Sequence, residues 1–125
     1  MKILVVDDSL LDRKLLIRVL MKAELNQEIL QAEDGEQALE ILANNYQDIC
    51  LVLLDWQMPK MSGIELMAGI TKVPILAAIP IIMVTASSSE DNKRLAKEVN
   101  PNLAGYIVKP YKTEDLLAAV KPHLK

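Results

Sequence analysis

Apolar and polar positions fall along this chain in two alternating patterns. Short apolar runs stand at 2–6, 49–54, 80–85 and 103–108, with a weaker one at 28–33. Their length and polar borders predict β-strands. Between them the apolar residues recur at helical spacing. After Ser9, the rows Leu11, Leu15, Val19 and Leu16, Leu20 predict the core face of a first helix, and Leu10, Lys14, Ile17 and Met21 a second, partly apolar face. A helix over about 35–45 turns Ala38, Leu39 and Leu42 inward. A third follows Ser62, with Ile64, Met67 and Ile70 three apart, weakened at Gly69 by about 1 kcal/mol relative to alanine. A fourth runs to about Val99, where Asn100-Pro101-Asn102 stops it, and a fifth starts at Thr113 and is ended or distorted at Pro122.

The starts of these helices carry capping residues. Ser9 caps the first, with Asp12 in its opening turn. Asp34 with Gln37, Ser62 with Glu65, and Ser87 with Glu90 have capping-box spacing. Thr113 is the expected cap of the fifth, with Glu114 and Asp115 complementing its positive end.

Strand followed by helix, five times over, predicts an α/β fold with right-handed crossovers and a parallel sheet. The run 49–54 is apolar on both faces, as a central strand covered on both sides must be. Ligand sites in such sheets lie beyond the carboxyl ends of the strands. Asp7, Asp8, Asp55, Thr85 and Lys109 all stand at such ends. One connection breaks the pattern. Residues 73–79 carry Val73, Ile75, Leu76 and Ile79, although loops are normally polar. Either these are buried by an odd extension of the third helix, which is the expectation, or they form a contact patch.

Composition narrows the class. The 125 residues suit a single domain, 1–125, and with 51% hydrophobic residues it can build a core without disulfides. A net charge of −3, with no basic stripe, argues against a nucleic-acid surface. The single cysteine, Cys50, lies in an apolar strand and reads as a small buried hydrophobe, which fits a reducing cytoplasm. The first apolar run stops at Asp7, too early for a signal peptide. The longest, 73–86, is broken by Pro74 and Pro80, so no membrane span is expected. No internal repeat, linker or output segment is seen, which fits either a stand-alone domain or an excised one.

Carboxylates converging at one sheet edge repel unless a cation relieves them. Mg²⁺ suits an all-oxygen set. Asp8 and Asp55 are the expected direct ligands, with Asp7 acting through water and the main-chain carbonyl of Gln57 adding an oxygen. Asp55, alone at the end of the central strand, is the candidate nucleophile towards a phosphoryl group. Mg²⁺, Lys109 and the Thr85 hydroxyl would each take one phosphoryl oxygen. Singly, each residue has a plainer reading. Asp7-Asp8 could cap a helix, Thr85 could end a strand, and Lys109 could be a solvated charge. Their joint occurrence at strand ends favours the site, while Tyr106 remains open between switch and half-buried core.

With Asp7-Asp8, Asp55 with Met58-Pro59 and Gly63, Thr85-Ala86, Tyr106 and Lys109-Pro110 in place, the whole chain resembles a bacterial response-regulator receiver domain, in the stand-alone form used in chemotaxis. The resemblance implies a flavodoxin-like, doubly wound sheet of order 2-1-3-4-5 flanked by five helices. It implies Mg²⁺-dependent phosphorylation of Asp55 by a sensor histidine kinase, a phosphotransfer protein or a small donor such as acetyl phosphate. Thr85 would move inward, Tyr106 would become buried, and the face made by the fourth helix, fifth strand and fifth helix would change for a downstream target protein. The Lys109-Pro110 bond would be cis. The protein would work in the cytoplasm, as a monomer or a weak dimer when phosphorylated, and would not turn over a free substrate. Leu10, Ile17 and Pro110 are the expected partner-docking residues, with the Leu10/Ile17 face of the first helix, which borders the acidic site, the candidate for the kinase. Asn102-Leu103 departs from the Gly-Ala frequent in the family before the fifth strand. Two competing functions are a pseudo-receiver that is never phosphorylated and a haloacid-dehalogenase-like phosphatase. The second needs an Asp-x-Asp pattern, but Ser9 stands two residues past Asp7.

Overall fold

The computed structural model describes residues 1–124. Five strands, β1 (Lys2–Val6), β2 (Glu28–Ala32), β3 (Ile49–Leu54), β4 (Ile81–Thr85) and β5 (Gly105–Val108), pair in parallel in the order β2-β1-β3-β4-β5. The order and the parallel sheet are those expected. The helices are α1 (Leu10–Lys22), α2 (Gly35–Asn45), α3 (Gly63–Thr71), α4 (Pro74–Ala77), α5 (Glu90–Val99) and α6 (Thr113–Val120), followed by a 3₁₀ turn at Lys121–His123.

Alternation along the strands divides the core in two. Leu4 and Val6 of β1 point to one face with Ala38, Leu42, Leu66, Met67, Leu76 and Ala96, under α2 to α5. Ile3 and Val5 point to the other, with Leu16 and Leu20 of α1 and Leu116 and Val120 of α6. All six residues of β3 are buried. Each fully buried Leu, Ile or Met side chain contributes about 1.5–3 kcal/mol, so β3, sealed on both faces, is the most strongly held element. Cys50 is buried, as expected, beside the register shift where β3 meets Lys2 and Ile3.

The structure departs from the sequence pattern in several places. The connection 73–79 is neither a loop nor an extension of α3 but the separate short helix α4, with Pro74 in its first turn. It buries Leu76 and Ile79, each 8% exposed, and leaves Val73 and Ile75 exposed. The burial expected of this segment therefore holds for Leu76 and Ile79, through a separate helix and not an extension of α3, and fails for Val73 and Ile75. In α1 the row Leu11, Leu15 is exposed, at 65% and 47%, and the buried row is Arg13, Leu16, Leu20. Two apolar rows compete for the sheet, and the winner is continuous with Arg13, whose Nη1 donates to the Asp7 carbonyl and clamps the β1–α1 turn.

Capping differs in detail too. Ser9 and Asp34 accept the expected backbone N–H groups, and Ser62 with Glu65 forms the full reciprocal box. Gln37 instead accepts from Glu33 N, one residue before the cap. Ser89 caps α5 in place of Ser87. Thr113 lies inside α6, after Lys112, and makes no side-chain cap bond.

Candidate functional site: an acid cluster at the sheet edge

The sheet hydrogen bonding runs one residue past three strands. Asp55 N donates to Val6 O (2.9 Å), Asp7 N to Ala32 O (3.1 Å) and Lys109 N to Thr85 O (2.8 Å). The three charged residues are thereby set by backbone geometry before any side-chain contact. The loop after Asp55 closes where Gly63 N donates to Trp56 O at 2.7 Å. A Cβ at Gly63 would stand 1.9 Å from the Asp55 carbonyl oxygen, so only glycine admits this approach.

One carboxylate oxygen from each of Asp7, Asp8 and Asp55 lies within 4.8 Å of the others. Asp7 and Asp55 are almost buried, at 5% and 9%, and Asp8 is exposed. Asp7 Oδ1 accepts from Ser9 N at 2.9 Å, and Asp55 Oδ1 from Trp56 N at 2.8 Å. The Lys109 ammonium stands 2.7 Å from Asp7 Oδ2, 2.9 Å from Asp12 Oδ2 and 3.8 Å from Asp55 Oδ2. The Lys109-Pro110 peptide is cis, as expected.

Electrostatics follow from this crowding. Burial, and after it the Asp7 charge, raise the Asp55 carboxyl above its ordinary value. Lys109, the Trp56 N–H and the Thr85 hydroxyl offset this only in part. Burial works against the Lys109 charge, but hydrogen bonds to Asp12 and Asp7, with the Asp55 charge, outweigh it and raise the amine. A cluster with acids in excess and all-oxygen donors suits a hard divalent cation, so the residues fit the metal expected of them.

Asp7, Asp8, Asp55, Thr85 and Lys109 are thus brought together. Thr85 is 2% exposed, at the end of β4. Gln57 is exposed on the loop two residues beyond Asp55. Tyr106 is half-buried, and its hydroxyl donates to Ser87 O at 2.9 Å, tying β5 to the loop after β4. Leu10 (54% exposed) and Ile17 (half-buried) lie on α1, and Pro110 is exposed after β5, all outside the cluster.

Two residues went unrecognised in the sequence. Arg13 is 8% exposed, donating to Asp7 O and, from Nε, to Gln31 Oε1 at 3.1 Å. The phase Arg13, Leu16, Leu20 would have placed it on the buried face. Asp12 was read only as a first-turn acid, and nothing local shows that it meets Lys109, 97 residues away in the chain.

Comparison with known proteins agrees with this geometry. The pattern of the response regulator receiver domain matches residues 3–121. The phosphate regulon transcriptional regulatory protein PhoB of Pseudomonas aeruginosa is 38% identical over 123 residues, which are 98% of this chain and 51% of that protein. The chain thus spans about half the length of that relative. A chemotaxis protein CheY homolog of Campylobacter jejuni is 35% identical over 124 residues, covering 94% of this chain and 92% of that one. Among solved structures, Vibrio cholerae chemotaxis protein CheY4 superposes with a TM-score of 0.84 at 30% identity, covering 98% of both chains. The Mn²⁺-bound form of response regulator Rcp1 does so at 0.78 and 29%, covering 98% of this chain and 91% of that one. With sheet order, acid cluster and relatives in agreement, the chain belongs to the response regulator receiver domains of two-component signalling.

Proposed function

We propose that residues 1–125 act as one receiver domain in which Asp55 accepts a phosphoryl group. The observation that carries this reading is the setting of Asp55. It is a nearly buried carboxylate at the end of the central strand, with acids on one side and the Lys109 ammonium on the other. An Asp55 oxygen attacks the phosphorus of a phosphohistidine or an acyl phosphate. The donor's P–N or P–O bond breaks, the leaving group takes the electron pair, and an aspartyl phosphate remains. Lys109 balances charge on the transferred oxygens, and the Thr85 hydroxyl donates to one of them.

Asp7, Asp8 and Asp55 are the residues that would hold Mg²⁺, with the Gln57 carbonyl as a further oxygen. The bound ion supplies the positive charge that the crowded acids lack and polarises the phosphoryl group. The Mn²⁺-bound form of the similar Rcp1 supports a divalent cation as the occupant.

A phosphoryl group on Asp55 recruits Thr85. The next segment carries Ser87, whose carbonyl holds the Tyr106 hydroxyl, so motion at Thr85 reaches the surface formed by α5, β5 and α6. That surface would meet a downstream target protein, and Leu10, Ile17 and Pro110 would dock partners, the Leu10/Ile17 face of α1 taking the sensor histidine kinase or phosphotransfer protein. The chemistry is self-directed: the domain is phosphorylated and dephosphorylated and turns over no other substrate. Its place is the cytoplasm. It works as a monomer or as a weak dimer once phosphorylated.

The test is a titration with Mg²⁺ and then beryllofluoride, a phosphoryl mimic, followed by fluorescence of Trp56, the sole tryptophan. A saturable Mg²⁺ response, and a beryllofluoride response that needs Mg²⁺ and is lost in Asp55→Ala, are expected. Absence of both, with calorimetry also showing no binding, would leave a pseudo-receiver.

A further inference from the structure

The Lys109 ammonium has three hydrogens to donate. In the resting structure two are directed to Asp7 (2.7 Å) and Asp12 (2.9 Å), while Asp55 at 3.8 Å is beyond hydrogen-bond range. The lysine that should serve the nucleophile is therefore held beside it. Asp7 belongs to the acid cluster and has other work, since its second oxygen accepts from Ser9 N. Asp12 differs. It stands outside the cluster, and among the described residues its carboxylate is recorded with one hydrogen-bond partner, Lys109.

Its placement is built in. Asp12 opens the first turn of α1, and its own N–H donates to the Ser9 capping hydroxyl at 3.1 Å. That fixes the backbone from which the carboxylate reaches across to the residue after β5. The side chain is 38% exposed, against 18% for Lys109. Water can solvate Asp12 once the lysine departs, so the contact is reversible.

We propose that Asp12 is a positioning residue, which holds Lys109 away from Asp55 in the resting protein and competes with an incoming phosphoryl group for it. The inference rests on the phosphoacceptor reading of Asp55. Formation of the aspartyl phosphate then has to draw the Lys109 ammonium from its place between Asp7 and Asp12 into hydrogen-bond reach of a phosphoryl oxygen. Asp12 lowers affinity for the phosphoryl state and shortens its lifetime, acting through Lys109 and touching neither metal nor phosphorus.

Beryllofluoride affinity at saturating Mg²⁺, read from Trp56 fluorescence, tests this in four proteins: the parent, Asp12→Asn, Asp12→Glu and Glu98→Gln. Glu98 is an exposed acid on α5, and its substitution changes net charge by the same amount. Asp12→Asn is expected to tighten binding about fivefold, the scale of one ion pair. Asp12→Glu should stay near the parent, and Glu98→Gln should leave affinity unchanged. A merely structural Asp12 would alter thermal stability and not this affinity. Unchanged or weakened binding in Asp12→Asn overturns the proposal, and so does equal tightening in Glu98→Gln, which would mean bulk charge. Failure of the parent and all variants to bind beryllofluoride would overturn the phosphoacceptor reading itself, a different result from parental binding that Asp12→Asn leaves unaltered.

Discussion

A carboxylate buried against another carboxylate is a liability until something neutralises it, and Asp55 is in that position. Its folded-state value is raised above the ordinary 3.8. Between these two values the folded chain holds more protons than the unfolded one, so stability falls as pH rises through that window, and the penalty is complete above it. Asp55→Asn, measured without divalent metal at neutral pH, should therefore raise stability by about 1 kcal/mol, or roughly 4 °C in Tm. The gain should vanish as pH drops below the window. A lower Tm for the variant at neutral pH would mean that the Trp56, Thr85 and Lys109 contacts outweigh burial. Lys109 behaves in the opposite sense. Its raised value gives a contribution present in full below 10.5 and lost only as pH climbs through the raised value, so it is constant across neutral pH. The charged residues that end apolar runs, Asp7, Asp8, Asp55 and Lys109, were legible because the sheet's own period locates them. Arg13 and Asp12 were not, because their roles depend on where a long side chain or a distant partner reaches, which no periodicity encodes.

Among the elements, α4 is the one that the sequence misled about. Four apolar residues in a connection of loop length invite one explanation, yet a single turn of helix divides them. Leu76 packs in the core while Ile75 stands 57% exposed. Leu76→Glu should cost about 3 kcal/mol by burying an unpaired charge, whereas Ile75→Glu should change stability by less than about 0.5 kcal/mol. Paired thermal melts decide this, and sedimentation of the Ile75→Glu variant reports on self-association through this turn. Strand positions and most helix spans were legible because hydrophobic period and Pro, Gly and Asn punctuation agree there. Individual caps were less so. In Ser87-Ser88-Ser89 any of three hydroxyls could start the helix, and the choice of Ser89 frees Ser87 Oγ to accept from Asn92 Nδ2 at 2.7 Å.

At the scale of the molecule, the sheet separates α1 and α6 from α2, α3, α4 and α5. Between α1 and α6 runs a groove of about 750 Å³, lined by Leu15, Val19, Leu117, Pro110 and Tyr111, with Lys109 at its edge. The exposed apolar row that α1 does not give to the core thus borders the site. Ile17→Ala is expected to slow transfer from a sensor histidine kinase severalfold while leaving labelling by acetyl phosphate unchanged. Equal slowing of both would show damage to the site and not to docking. The strand order itself was not written in the periodicity; it came with the resemblance. The hydrogen bonds that continue past β1, β3 and β5 have a further consequence. Asp55 is held by the central β1–β3 ladder, and core ladders of this kind open only when the whole domain does, whereas Asp7 and Lys109 are held by the ladders to the edge strands β2 and β5. The nucleophile's placement therefore shares its lifetime with the fold, while fraying of an edge strand can release its acidic or basic neighbour with the centre of the sheet still in place.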